Sequence, residues 1–183
     1  MAPAREALLD RCLAFLRGNG FSQLSLREMA AGAGTSHRML IYHFGSREGL
    51  LAEIVGRVEA EQRAALADLA TVQGDLAEVG RAFWQRVSDP ELAPAVRLFF
   101  EIYSQALYGR DWTGSFRASV ITAWEGPLVD LLMAHGFDRA RATARARLGV
   151  AATRGLLLDL LITGERDTVD AAYEALAPVF AVE

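Results

Sequence analysis

Between Ser25 and Leu51 the chain collects side chains suited to holding a polyanion. Ser36, His37, Arg38, Met39 and Tyr42 fall close together, and Ser46-Arg47 follows shortly after. An arginine presents a fork of N–H donors that fits a guanine edge, and a methionine offers soft apolar surface to a thymine methyl. A serine at a helix start with an arginine beside it suits a phosphate, through free backbone N–H groups and a cation. Bond-breaking chemistry finds no comparable set. The sequence has no HExxH, Glu-x-x-His, P-loop or GxSxG pattern. His37, His43 and His135 are scattered, with no obvious Ser, Cys or carboxylate team. The single cysteine, Cys12, can neither close an internal disulfide nor anchor a metal alone. It sits among Leu9, Leu13 and Leu16 at helical spacing, the place of a buried structural thiol. No catalytic residue, cofactor or metal is therefore expected.

The elements that must position these residues read as helices throughout. The chain has 183 residues, 52% of them hydrophobic and 23% charged, an ordinary globular composition. Prolines fall only at 3, 90, 94, 127 and 178, and alternating period-two runs are nearly absent. The net charge of -4 is unevenly spread: residues 1–50 hold six arginines against four acids, and the rest hold thirteen against nineteen. Any polyanion is thus met at the N-terminal end. No run of about 18 apolar residues suggests a membrane span. The start, Met1-Ala-Pro-Ala-Arg-Glu, shows no apolar signal core, so the expected compartment is the cytoplasm.

A first helix is expected over 4–17, ended by Gly18-Asn19-Gly20, with Phe21 and Leu24 crossing to the next element. Ser25-Leu-Arg-Glu28 is a capping box, with Leu24 and Met29 at the staple positions, so a second helix starts at Ser25. Gly34 stops it, and Thr35 or Ser36 caps a third helix over 36–43. Ser46 caps a long fourth helix from 47 to about 69. Further helices are expected over 75–88, 92–108, 115–134, 138–163 and 168–181, with breaks at Gly74, Asp89-Pro90, Gly109 to Gly114, Gly136 and Gly164.

Two short helices joined by about three residues have the geometry of a helix-turn-helix. Ala30 is small enough for a close crossing, and Met29, Ala33 and Leu40 supply shared apolar contacts. The third helix then offers Ser36, His37, Arg38, Met39 and Tyr42 to a major groove. A plain helical hairpin with solvated polar residues would carry the same spacing. The full run separates the two. Ala30-x-x-x-Gly34, Thr35-Ser36, Leu40, Tyr42-His43-Phe44 and above all Gly45-Ser46-Arg47-Glu48-Gly49-Leu50 resemble the N-terminal domain of the TetR family of bacterial regulators.

The motif resemblance covers residues 4–55, and the remainder matches only in helical layout. It implies an all-α protein: a three-helix DNA-binding head over 1–46, then a larger helical domain over 47–183 for ligand binding and dimerisation. It also implies a homodimer formed by the last two helices. Base-reading positions correspond to Arg27, His37, Arg38 and Met39; phosphate-contacting positions correspond to Ser36, Tyr42, His43 and Arg47. A histidine packed between helices is the competing role for His43. Ile41 departs from the family pattern, which most often has tyrosine there. The implied function is a dimeric repressor on double-stranded operator DNA, released by a small-molecule effector. The rival is a helical small-molecule-binding protein or enzyme without a DNA role.

Beyond residue 75 the aromatic side chains are either core or the wall of a ligand cavity, mainly apolar with a few polar groups. Trp84, Phe100, Tyr103 and Trp124 are the lining candidates, with Tyr103 adding a hydroxyl, and an apolar or aromatic effector would suit them. The run 139–147 alternates arginine with small residues, a solvated face rather than a second nucleic-acid surface. Gly149, Ala152 and Gly155 permit close helix approach, and Val169, Ala172, Tyr173, Leu176 and Phe180 give the last helix a matching stripe. An intramolecular hairpin would bury one face of each helix; burying both points to a two-fold bundle.

Overall fold

Alanine, leucine, arginine and glutamate favour helix wherever no proline or glycine intervenes, and helix is what forms. The computed structural model describes residues 2–19, 24–72, 75–176 and Pro178; Gly20, Phe21, Gly74 and Phe180 lie outside these. Among the described residues there are ten α-helices and no strand: α1 (Ala2–Asn19), α2 (Leu26–Gly32), α3 (His37–Phe44), α4 (Arg47–Val72), α5 (Leu76–Val87), α6 (Ala93–Leu107), α7 (Gly114–Ser119), α8 (Thr122–Ala134), α9 (Arg139–Thr163) and α10 (Arg166–Glu174). Single 3-10 turns precede α6 and α7. None of these helices is long and apolar enough to cross a membrane.

The chain packs as two compact units. The first comprises Met1–Glu59 and Pro94–Arg117. Its N-terminal part buries Leu8, Cys12, Leu13 and Leu16 of α1, Met29 and Ala30 of α2, and Leu50 and Ile54 of α4. Cys12 is fully enclosed, and burial pushes its thiol pKa up, opposed only by the charge of Arg11. Gly32 lies directly under the ring of Phe15, where a methyl group would collide with it. This close approach joins α1 to α2, alongside the buried Ala30. In the α6–α7 part, Phe99 packs edge-on to Phe100 and Phe116, and Tyr103 stands edge-on to Phe116.

The second unit comprises Ala60–Ala93 and Ala118–Glu183. Its core gathers Leu66, Val79, Phe83, Trp84, Val87, Trp124, Val150 and Val169. The stretch 115–134, expected as one helix, is two: the chain turns at Val120-Ile121 between α7 and α8. The Arg154 guanidinium, from α9, donates to the Val120 carbonyl at 2.6 Å. That donor, distant in sequence, holds a carbonyl at the turn, so the break carries no local signal.

A polar clamp fastens α10 within this unit. Trp84 Nε1 donates to Asp170 Oδ1 at 2.6 Å, and the indole stacks on Tyr173 with centroids 4.6 Å apart. Arg166 donates to the Ser88 hydroxyl at 2.7 Å and also to the Ser88 carbonyl. Tyr173 donates its hydroxyl to the Gly80 carbonyl at 3.0 Å. Burial pushes the Tyr173 phenol up to about 12. Below the ordinary value of 10 the phenol keeps its proton whether the chain is folded or unfolded. Above it, the unfolded chain ionises first and stability falls. Tyr173→Phe should therefore lower stability by about 0.5–1.5 kcal/mol near neutral pH, the cost of a lost hydrogen bond to a part-buried carbonyl. The gap between wild type and variant should shrink as pH rises from 10 towards about 12. Denaturant unfolding of both proteins across that pH range checks both statements.

Candidate nucleic-acid interface

The geometry of the N-terminal head is built from short-range devices. At the start of α2, the Ser25 hydroxyl accepts from the Glu28 N–H at 3.3 Å, and Glu28 Oε2 accepts from the Ser25 N–H at 2.8 Å. The hydrogen bonds with Ser25, side chain first and then backbone, hold the Glu28 carboxyl below its usual pKa. At the end of α2, Thr35 N–H donates to Ala30 O at 2.9 Å and Gly34 N–H to Ala31 O at 3.2 Å. This is the paired closure of a Schellman turn, and it requires Gly34 at φ +64°. Ser36 then caps α3, its Oγ accepting from Met39 N–H at 3.2 Å. The cap uses an oxygen lone pair and leaves the hydroxyl proton available to a phosphate.

The third helix divides cleanly into two sides. Leu40 and Phe44, four residues apart, are buried, while His37, Arg38, Met39, Ile41 and Tyr42 are exposed. Met39 is 42% exposed, Ile41 40% and Tyr42 65%, so three large side chains close together in α3 face solvent. Ser36 and Arg27 are exposed as well. His43 is half-buried, its ring edge-on to Tyr42 at 4.9 Å and tilted against Phe44 at 6.2 Å.

Arg47 is half-buried, and its Nε donates to the Leu24 carbonyl at 2.9 Å. Sequence reasoning gave this guanidinium to a phosphate and missed the intramolecular tie. Two arginines of α1 make similar ties, Arg5 to His43 O and Arg11 to Ala33 O. No motif announces them, because each depends on a carbonyl far away in sequence.

The turn into α4 is equally specific. Gly45 adopts φ +76° and ψ -50°, and Ser46 N–H donates to Phe44 O at 2.9 Å, a tight γ-turn that suits glycine. Ser46 caps α4 through Gly49 N–H at 2.9 Å. A Cβ on Gly49 would run into the Phe44 carbonyl, so α4 starts pressed against the end of α3.

The four aromatic lining candidates fall in different units. Phe100 and Tyr103 are half-buried in the first, where Phe99 lies close to both. Trp84 and Trp124 are buried in the second: Trp84 in the clamp with Asp170 and Tyr173, Trp124 edge-on to Phe83 at 5.7 Å with the Arg63 guanidinium over its ring.

Fold and site together define an all-helical protein with an N-terminal helix-turn-helix and a larger helical remainder. Residues 8–54 match the family model of the bacterial regulatory proteins, tetR family. The head therefore matches the N-terminal domain of that family over these residues, and the chain has the fold of TetR-family transcriptional regulators. Among solved structures it is similar to a TetR-family regulator of Pectobacterium atrosepticum, with a TM-score of 0.72 and 19% identity over 98% of this chain and 92% of that one. It is also similar to the multidrug binding protein EbrR complexed with imidazole: TM-score 0.64, 25% identity, 100% and 93% covered. The regulator LfrR of Mycobacterium smegmatis, in complex with proflavine, aligns with TM-score 0.59 and 18% identity over 100% and 99%. At under 25% identity the first and last of these speak for the fold alone. No curated protein matches the chain by sequence.

The α3–α4 junction yields a paired test within one helix. Gly49→Ala should cost about 1–3 kcal/mol, because either α3 or α4 must shift to admit the methyl group. Gly56→Ala, where a Cβ meets nothing within 4 Å, should gain roughly 0.5–1 kcal/mol from the helix preference of alanine. Thermal and denaturant unfolding of the two variants should move in opposite directions.

Proposed function

We propose that this protein is a sequence-specific transcriptional regulator, a dimeric repressor released from double-stranded operator DNA by a small apolar or aromatic ligand. The observation that carries the DNA reading is the outward side of α3. It presents Arg38, Met39 and Tyr42 to solvent while Leu40 and Phe44 hold the helix down. Arg27, His37, Arg38 and Met39 are the proposed base readers. Ser36, Tyr42, His43 and Arg47 are the proposed phosphate contacts, with Arg47 using its remaining guanidinium donors beside the tie to Leu24. Residues 1–46 act as the DNA-binding domain and 47–183 as the ligand-binding and dimerisation domain of a cytoplasmic protein.

Support for a homodimer through α9 and α10 comes from one face of α9. Leu148, Ala151, Gly155, Leu158 and Ile162 are exposed and recur at intervals of three and four residues, with Ile162 at 75%. This is the spacing of a helix–helix seam. Tyr173 and Val169 of α10 face the core of their own unit, so among the described residues of α9 and α10 it is α9 that supplies most of the apolar face left over. Two heads on a two-fold axis would read a palindromic operator.

A small effector is supported by the kinds of molecule held in two similar structures, imidazole in EbrR and proflavine in LfrR. Within the first unit, Phe100 and Tyr103 are the proposed contacts; within the second, Trp84 and Trp124.

Selection from randomised duplex DNA should recover a palindrome. Arg47→Ala should then weaken binding to all duplexes similarly, whereas Arg38→Ala should relax preference at a base position by about 1–3 kcal/mol. Recovery of no duplex by the folded protein would leave a helical small-molecule-binding protein instead. Ile162→Glu should shift the protein from dimer to monomer in light scattering while helical content stays constant; an unchanged mass would remove the α9 seam from the interface.

A further inference from the structure

The recognition helix is only eight residues long. Helices this short are marginal without tertiary support. Its two buried side chains, Leu40 and Phe44, lie on a single line along the helix. One line of anchors resists a roll about itself poorly, and a roll would swing Arg38 and Met39 relative to a groove. The turns and caps at the ends restrain that roll locally; side chains from another helix restrain it further.

Two side chains of α1 do so. At the C-terminal end of α3, Arg5 makes three attachments. Its Nε donates to the His43 carbonyl at 3.4 Å. Its Nη2 pairs with Glu53 Oε1 of α4 at 2.8 Å. Its guanidinium carbon lies 5.0 Å from the centre of the Phe44 ring. Before the N-terminal end, Arg11 Nε donates to the Ala33 carbonyl at 3.0 Å, on the cap residue of α2. Both carbonyls sit where a helix ends and intrahelical N–H donors run out, and a cation there also meets the negative end of the helix dipole. The Arg5–Glu53 pair is partly exposed, so its value lies in geometry more than in Coulomb energy. Only a planar fork can serve a carbonyl, a carboxylate and a ring face together; a lysine ammonium is a point charge and cannot.

We propose that Arg5 and Arg11 are positioning residues for sequence recognition: from α1 they fix the angle at which α3 presents its outward side chains, without touching nucleic acid. This rests on the DNA-binding reading of α3. It separates two roles for arginine in the head. Arg38 acts on the nucleic acid, while Arg5 and Arg11 act on the backbone that carries Arg38.

The test compares the full-length protein with Arg5→Met, Arg5→Lys and Arg11→Met on a duplex selected from random sequence and on an unrelated duplex, across a range of salt concentrations. Each variant should lose about tenfold in affinity for the selected duplex and little for the unrelated one, with the salt dependence unchanged. Arg5→Lys should remain impaired although it keeps the charge. A salt slope lower by roughly one, with both duplexes weakened alike, would make Arg5 a phosphate contact and overturn the proposal. Unaltered affinity for the selected duplex would overturn it too. Hydrogen exchange on the DNA-free protein supplies a second arm. Amides of residues 37–44 should exchange faster in Arg5→Met and Arg11→Met while those of 139–163 stay as in wild type; equal protection of 37–44 counts against the proposal. Should wild type select no duplex, the DNA reading fails, and the exchange arm still decides whether the arginines hold α3. If Arg5→Met does not fold, Glu53→Gln, which removes the carboxylate anchor of Arg5, should reproduce the loss of preference.

Discussion

A two-turn helix that must expose most of its surface cannot hold its own orientation, and the architecture of the head answers that constraint. Leu40 and Phe44 are the only side chains α3 buries. Everything around them serves to immobilise the helix: the Schellman turn at Gly34, the Ser36 cap, the γ-turn at Gly45 and the contact of Gly49 with the Phe44 carbonyl. Each device satisfies a backbone group that a short helix leaves over, or removes a degree of freedom that its small buried face cannot. A helix whose side chains are mostly exposed is thereby made rigid by its backbone ends.

Arginine does much of this work, since the chain contains no lysine. Arg5, Arg11 and Arg47 each donate to a carbonyl at a helix end or turn of the head. A guanidinium can make such a bond and retain further N–H donors for another partner. The positive balance of residues 1–50 is therefore partly structural, and it still leaves a cationic end on a protein whose total charge is negative. Polyanion attraction and internal bracing draw on the same side-chain type.

The second unit follows a different logic. Its core is aromatic and aliphatic, and the polar groups around Trp84 find partners in Asp170, Ser88 and Gly80 through α10. The α9 face bearing Leu148, Leu158 and Ile162 remains on the surface. Apolar side chains at helical seam spacing on a long helix are costly to leave in water, which is why this face, rather than the one beneath α10, supports the assembly reading.

Local features were legible in the sequence because their causes are local. The capping box at Ser25, the stop at Gly34, the caps at Ser36 and Ser46 and the outward placement of Arg38, Met39 and Tyr42 follow from residues within a few positions of each other. The family motif from Ala30 to Leu50 lies in the same stretch, so the class of protein was readable there too. Tertiary structure alone decided the rest. The break at Val120-Ile121 takes its donor from Arg154; Gly32 is small because Phe15 lies over it; Gly49 is small because α3 ends against α4. Arg5, Arg11 and Arg47 turn inward to carbonyls that no spacing rule could assign. Hydrogen-bond direction and close backbone approach depend on which distant segments meet. A linear pattern records which residues can make a helix end or a surface; only the folded chain determines which carbonyl lacks a donor and which side chain is near enough to supply one.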